Sequence, residues 1–173
     1  LFHGPPGTGK TMTAHGIAKH FGMRVLNVDI PAFLEQCHAA EGSLERLFRE
    51  ARMQNALLFF DECEALFAAR HLGNMWMNVL LTEIERFGGV AVLATNAPEI
   101  IDPALLRRIL VKVRFPEPDR DARSDIWCNH IPNEAPIAND VDVDVLAERY
   151  ELTGGLIKNA VLMAVAATVH EGE

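Results

Sequence analysis

Apolar residues recur along the chain with two spacings that alternate. Short apolar runs predict strands over 24–28, 56–60, 90–94 and 110–115, and the last three are expected to be buried on both faces of a parallel sheet. Apolar residues three and four positions apart predict amphipathic helices over 11–21, 43–52 and 74–87. Strands that alternate with helices indicate crossover connections, and therefore an α/β fold with a parallel sheet.

This alternation ends at Pro116-Glu117-Pro118, and the pattern after it predicts only helices, at about 120–130, 143–150 and 154–170. The charge changes at the same place. Residues 1–116 carry equal numbers of acidic and basic side chains, so the whole net charge of −8 lies in 117–173. We therefore predict two units, an α/β domain over 1–116 and a small acidic helical unit over 117–173.

The composition bears on several functional classes. No run of about 18 apolar residues is present, so no membrane span is predicted, and no signal peptide is expected. Three cysteines at unrelated spacings argue against a disulfide framework and favour a reducing, cytoplasmic compartment. Without a basic face, sequence-independent binding to nucleic acid is not expected. The strand expected before the first motif is cut short, so we expect a piece of a longer protein.

A glycine-rich loop stands between the first apolar residues and the first helix. It satisfies the Walker A pattern of a phosphate-binding loop and reads Gly4-Pro5-Pro6-Gly7-Thr8-Gly9-Lys10-Thr11. Lys10 is expected to reach the β- and γ-phosphates of ATP, and the Thr11 hydroxyl is expected to ligate Mg²⁺. Met12, the next residue, is assigned to the nucleotide site with them. A glycine-rich turn that matches by chance is the alternative, and the strand-loop-helix context argues against it.

An acidic pair follows the predicted strand 56–60. Asp61 and Glu62 come directly after it, at the sheet edge where ligands of parallel α/β folds bind. Asp61 suits the Mg²⁺ shell, and Glu62 suits a general base that activates water for attack on the γ-phosphate. A solvated strand end is the alternative for this pair. Glu64 is predicted to face solvent, because the next helix turns it away.

The strand 90–94 ends in the same way, in Thr95 and Asn96. An amide at this edge can hold the attacking water or sense the γ-phosphate. The alternative is a helix or turn cap, a position that both residue types favour. With the other motifs in this order, we predict the sensor role for Asn96.

These motifs, followed by Asp102-Pro103-Ala104-Leu105-Leu106-Arg107-Arg108, resemble AAA+ ATPases of the AAA subfamily. The resemblance covers nearly the whole chain. It implies a P-loop NTPase core of the α/β class with a parallel sheet and a small C-terminal helical lid, and ATP and Mg²⁺ as cofactors. It also implies a homo-oligomeric ring, usually hexameric, with ATP held at subunit interfaces. The two adjacent arginines are similar to those of the katanin and spastin type.

The resemblance gives roles to residues outside the core motifs. Arg107 and Arg108, just before a strand and not on an obvious helix face, would be arginine fingers that act on the γ-phosphate of a neighbouring subunit. Which of the two contacts phosphate stays open, and a surface ion pair is the alternative. In the lid, Gly154 and Gly155 would lie against adenine and ribose. Lys158 would substitute for a sensor arginine that the lid lacks.

One segment departs from the family's pattern. The pore loop usually contains an aromatic-apolar-glycine triplet, whereas the matching stretch here is Glu35-Gln36-Cys37-His38. Phe33 is close to it and is expected in the core. We predict an Mg²⁺-dependent ATPase that forms a ring and remodels protein partners. Two alternatives stay open: an ATP-dependent binding switch or scaffold with negligible turnover, and a DNA-associated loader, against which the neutral core and acidic lid argue.

Overall fold

In the computed structural model, the structure describes residues 1–36, 40–68, 73–101, 103–132, 138 and 141–171. The strands found there are Phe2–His3 (β1), Arg24–Asp29 (β2), Ala56–Asp61 (β3), Ala91–Thr95 (β4) and Val113–Arg114 (β5). The α-helices are Lys10–His20 (α1), Ile30–Gln36 (α2), Ala40–Met53 (α3), Ala65–Ala68 (α4), Gly73–Arg86 (α5), Pro103–Arg108 (α6), Arg120–His130 (α7), Val143–Arg149 (α8) and Gly154–Glu171 (α9). Among these residues, no helix combines the length and the apolar character that a membrane crossing requires.

The five strands form a parallel sheet in the order β2-β3-β4-β1-β5. Successive side chains of a strand point to opposite faces. In β3, Leu58 and Phe60 therefore join one apolar cluster, and Leu57 and Phe59 join another. All four are at most 1% exposed. Since both faces are covered, the continuous apolar run of this strand is explained, and the predicted α/β fold with a parallel sheet is confirmed.

Helices α3 and α5 supply the larger of the two clusters. Phe48 of α3 packs against Phe60 of β3 and Phe87 after α5, with ring centroids 5.9 and 5.2 Å apart. The predicted apolar stripes of both helices are thus confirmed. Helix α1 differs, because it packs through Ala14 and Ala18. Two apolar residues of the predicted helix 11–21 face solvent instead of the core: Met12 is 76% exposed and Phe21 is 66% exposed.

The region after α6 corrects two expectations. The predicted buried strand over 110–115 is wrong, because only Val113–Arg114 pairs with the sheet and both residues are exposed. Because β5 lies at the edge of the sheet, it has a neighbouring strand, β1, on one side only. Arg107 and Arg108, which the sequence placed on no obvious helix face, form the last turn of α6. Asp102, the first residue of that motif, lies outside the described residues.

The chain divides into two compact units, one formed by Leu1–Gly4 with Lys10–Phe115 and the other by Pro5–Gly9 with Pro116–Glu173. The second unit has its own core, built from Trp127, Ala147, Ile157 and Val161. The phosphate-loop segment groups with the later residues, whereas the sequence assigned it to the first domain. The predicted division into 1–116 and 117–173 therefore stays a prediction.

Buried Arg123 ties the helices of the second unit together. Its Nε donates to the carbonyl oxygen of Ala147 at 2.8 Å, and its Nη1 donates to that of Pro118 at 2.9 Å. Asp119 caps α7, since its side chain accepts from the backbone N–H of Ala122. These contacts fix the start of α7 against the end of α8.

Candidate functional site

The first glycine of the phosphate loop is required by its surroundings. Gly4 has a φ of +148°, and a Cβ there would lie 2.0 Å from the carbonyl oxygen of Phe115. The N–H of Gly4 donates to the carbonyl oxygen of Thr95 at 3.2 Å. Only glycine can adopt this conformation at such close approach. The loop therefore leaves the sheet at a fixed point beside the ends of β4 and β5.

A second glycine of the loop lies against the start of α9, within the second unit. Gly7 has a φ of +76°, and a Cβ there would lie 2.7 Å from the Thr153 hydroxyl oxygen. The N–H of Gly155 donates to the Gly7 carbonyl oxygen at 2.9 Å. The structure thus brings predicted loop and lid residues together at this point. Gly154 also approaches, with the Gly7 carbonyl oxygen 3.3 Å from its added Cβ.

Lys10 begins α1 and is only 7% exposed. Its Nζ donates to the carbonyl oxygen of Gly4 at 2.7 Å and to Oδ1 of Asn96 at 2.8 Å. Burial lowers the pKa of the Lys10 ammonium, while the negative charges of Asp61 and Glu64 act in the opposite direction. The desolvated cation of Lys10 therefore lies at the carboxyl edge of the sheet, where the sequence predicted a side chain that binds phosphate.

The acidic pair has an unusual backbone. Asp61 is the last residue of β3, and its Oδ1 accepts the N–H of Glu62 at 3.0 Å. Glu62 has a φ of +52°, in the left-handed region. For a residue with a Cβ this conformation costs roughly 1–2 kcal/mol, and such strain often occurs at functional sites. It turns the chain at the strand end and leaves the Glu62 side chain exposed.

Glu64 corrects the sequence prediction, because it does not simply face solvent. Its Oε1 accepts from the backbone N–H and from Nδ2 of Asn96, each at 3.4 Å. Its Oε2 is buried and has no hydrogen-bond partner in the part of the chain that the structure describes. The N–H of Cys63 donates to the carbonyl oxygen of Ala94 at 3.0 Å, which fastens the turn to β4. This places Glu64 against Asn96.

The sequence contained a partial signal for this contact. Glu64 is a third acid within four residues of the end of β3, and the neighbouring strand ends in an amide. The missing information was the left-handed turn at Glu62, a residue type with no preference for that conformation. Without this turn, a helical continuation would have carried Glu64 away.

The two arginines at the end of α6 differ in their contacts. Arg108 donates from Nε to Oε1 of Glu85 on α5. Arg107 is exposed and forms no ion pair within the described part of the chain. The structure thus separates two residues that the sequence left equivalent.

The remaining predicted residues are placed as follows. Thr11 and Met12 lie in the first turn of α1 and are exposed, and Lys158 is exposed on α9. Glu35 and Gln36 end α2, whereas Cys37 and His38 lie outside the described residues. Phe33 packs edge-on against Trp76 with centroids 5.6 Å apart, as expected of a core residue.

The residues at the sheet edge fit ATP and Mg²⁺ chemically. Lys10 offers a buried cation to phosphate oxygens, and Thr11 with Asp61 offers the hard oxygen ligands that Mg²⁺ prefers. Mg²⁺ is usually held by one or two carboxylates together with phosphates and water. One strand-end aspartate, such as Asp61, therefore supplies as many carboxylates as such a site needs.

Comparison with known proteins agrees with this chemistry. Residues 1–117 match the ATPase family associated with various cellular activities, abbreviated AAA. The chain is 32% identical to a cell division cycle protein 48 homolog of Archaeoglobus fulgidus, over 99% of this chain and 26% of that protein. It is 33% identical to the ATP-dependent zinc metalloprotease FtsH 1 of Conexibacter woesei, over 100% of this chain and 29% of that protein.

A third relative is described as an AAA ATPase forming ring-shaped complexes, from Corynebacterium diphtheriae. It is 34% identical over 82% of this chain and 33% of its own length. The chain thus spans about a quarter to a third of the length of these relatives.

Proposed function

Because the chain belongs to the AAA family of ATPases, we propose that it binds ATP with Mg²⁺, hydrolyses it within a homo-oligomeric ring, and thereby remodels protein partners. The observation that carries the proposal is the arrangement at the sheet edge. There Lys10 is hydrogen-bonded to both Gly4 and Asn96, beside the acidic end of β3. A reducing, cytoplasmic location is part of the proposal and rests on the unpaired Cys63 and Cys128.

Each residue at this edge has one task. Lys10 binds the β- and γ-phosphates, while Thr11 and Asp61 would hold Mg²⁺, which would supply charge neutralisation at the phosphate oxygens. Glu62 accepts a proton from the attacking water. The water oxygen bonds to the γ-phosphorus as the bond to the β–γ bridging oxygen breaks, and ADP and phosphate leave. Asn96 orients the water or senses the γ-phosphate.

In the ring, Arg107 is the residue that we assign to the neighbouring subunit's γ-phosphate. Arg108 already pairs with Glu85 of its own chain, whereas Arg107 is exposed at the end of α6. Arginine suits this role because its charge is permanent and its fork binds two oxygens. The ring itself, hexameric in our proposal, is supported by the Corynebacterium relative that is described as ring-forming.

The helical unit completes the proposal as a lid. Gly154 and Gly155 begin α9 and would face adenine and ribose, and the Gly7–Gly155 hydrogen bond supports a nucleotide role for this turn. Met12 would border the nucleotide from α1. Lys158, exposed on α9, would contact a phosphate.

The test compares Glu62→Gln with Glu148→Gln in the intact protein. Glu148 is exposed on α8, so its variant makes the same change of charge away from the site. We expect Glu62→Gln to lower ATP turnover by about 100-fold or more, because a positioned base contributes about 10²–10⁴. Its ATP affinity should stay close to that of the wild type. A wild type without turnover would favour the binding switch, and an active Glu62→Gln would refute the role of Glu62.

A further inference from the structure

Asn96 lies between a group that can only donate hydrogen bonds and a group that can only accept them. Lys10 Nζ donates to its Oδ1 at 2.8 Å, and Glu64 Oε1 accepts from its Nδ2 at 3.4 Å. An ammonium has no acceptor and an ionised carboxylate has no donor. Of the two orientations of the Asn96 amide, one alone satisfies both neighbours.

We propose that Glu64 is a positioning residue that fixes the Asn96 amide with Nδ2 turned toward its own carboxylate and Oδ1 turned toward Lys10 and the substrate. This inference rests on the proposed function, since it specifies how the sensor is held for the hydrolytic step. Glu64 acts through Asn96 and does not itself contact the substrate.

The fold holds Glu64 in place for this role. Glu64 follows the left-handed turn at Glu62 and precedes α4, whose first residue, Ala65, donates its N–H to the Glu62 carbonyl oxygen at 3.0 Å. Glu64 Oε1 also accepts a hydrogen bond from the backbone N–H of Asn96, so it contacts both the backbone and the side-chain amide of that residue. Two weak hydrogen bonds to the same oxygen of Glu64 constrain rotation of the Asn96 side chain more than either does alone.

Glu64 Oε2 is buried without a hydrogen-bond partner among the described residues, which supports a functional origin. Burying an unsatisfied carboxylate oxygen is unfavourable, so such groups call for an explanation. A glutamine at this position would lower that cost. It would also present an amide of its own to Asn96, so position 64 would accept either orientation of the Asn96 amide and Lys10 alone would select between them.

The kinetic test is a double-mutant cycle in the intact protein with Glu64→Ala, Asn96→Ala and their combination, and Glu148→Ala as the surface control. We expect Glu64→Ala to lower kcat by about tenfold while the KM for ATP changes less than about threefold, a coupling in the usual range for contacting residues. In the Asn96→Ala background the same change should have no further effect. Glu64→Gln should also lower kcat, by less than Glu64→Ala, because Lys10 alone then selects the orientation of the Asn96 amide.

A second measurement needs no turnover. The side-chain amide NMR signals of Asn96, assigned by their loss in Asn96→Ala, should shift and exchange faster in nucleotide-free Glu64→Ala, and should stay in place in Glu148→Ala. Additive losses in the cycle would overturn the proposal, because Glu64 would then act independently of Asn96. Unshifted Asn96 signals, or a loss of ADP binding and thermal stability in Glu64→Ala, would overturn it as well. Failure of the proposed function would look different, namely a wild type without turnover.

Discussion

Replacing Gly4 by alanine tests the geometry of the phosphate loop directly. The added Cβ would lie 2.0 Å from the carbonyl oxygen of Phe115 and 2.9 Å from its carbonyl carbon. Both neighbours are backbone atoms of the segment that continues β5, so no side-chain rotation relieves the clash. The φ of +148° is in addition reserved for glycine.

The cost can be worked from these contacts. An alanine held in this backbone region costs about 1–3 kcal/mol. The clash with backbone atoms also forces the loop to shift, so the bond from the Gly4 N–H to the buried carbonyl oxygen of Thr95 is lost, at about 1–3 kcal/mol. The sum of roughly 2–6 kcal/mol is a large part of the stability of a typical domain. With a urea m-value of about 2 kcal/mol per M, the unfolding midpoint should fall by about 1–3 M.

Gly16→Ala is the matched control. Gly16 lies inside α1, and a Cβ there would have nothing within 4 Å. Alanine in a helix interior is favoured over glycine by about 1 kcal/mol, so this variant should be slightly more stable. Urea titration of the intact protein, with brief proteolysis to detect unfolding of the segment that contains β4, gives both midpoints. A Gly4→Ala midpoint equal to that of the wild type would refute the reasoning.

Three further predictions concern the site and its surroundings. Glu62→Gly should be at least as stable as Glu62→Gln in urea, because glycine relieves the left-handed conformation, and both should lose ATP hydrolysis; a less stable glycine variant would contradict the strain. Arg107→Ala should lower ATP turnover of the assembled protein by about 10³-fold, the size of an arginine-finger effect, and Arg108→Ala much less; the reverse order would reassign the finger. Burial raises the pKa of the Cys63 thiol to about 12, so the reactive thiolate of Cys63 is scarce at pH 8. Iodoacetamide should therefore label exposed Cys128 and spare Cys63. Mass spectrometry of the two peptides checks this, and equal labelling would show that Cys63 is accessible.

The core of the fold could be read from the sequence because its signals are strong and local. The run in β3 is buried on both faces, and the stripe of α5 is buried at Met77, Leu80 and Leu81. The resemblance to AAA ATPases is confirmed, whereas the katanin and spastin detail stays a prediction. The assignments of nucleotide and metal residues also stay predictions, with Lys10 and Asn96 now observed in contact.

The elements that the sequence missed are short or depend on distant partners. Helix α2 has seven residues and a proline in its first turn, too few for a helical period to appear. Helices α4 and α6, with four and six residues, are shorter still. The apolar residues within 110–115 suggested a buried strand, but only the pairing order shows that β5 is an edge. That order is a long-range property which local spacing does not contain.

The contacts of Lys10 connect the arrival of nucleotide with the state of Asn96. In the structure this buried ammonium donates to the neutral oxygens of Gly4 and Asn96, while the carboxylates of Asp61 and Glu64 favour its charge. A phosphate oxygen carries a negative charge that attracts the ammonium in addition to the hydrogen bond, so under the proposed function a polyphosphate competes for Lys10. Once Lys10 turns to phosphate, Oδ1 of Asn96 becomes available at the site. Glu64 still holds Nδ2, so the freed oxygen keeps its direction, and binding of ATP prepares the sensor without a separate rearrangement.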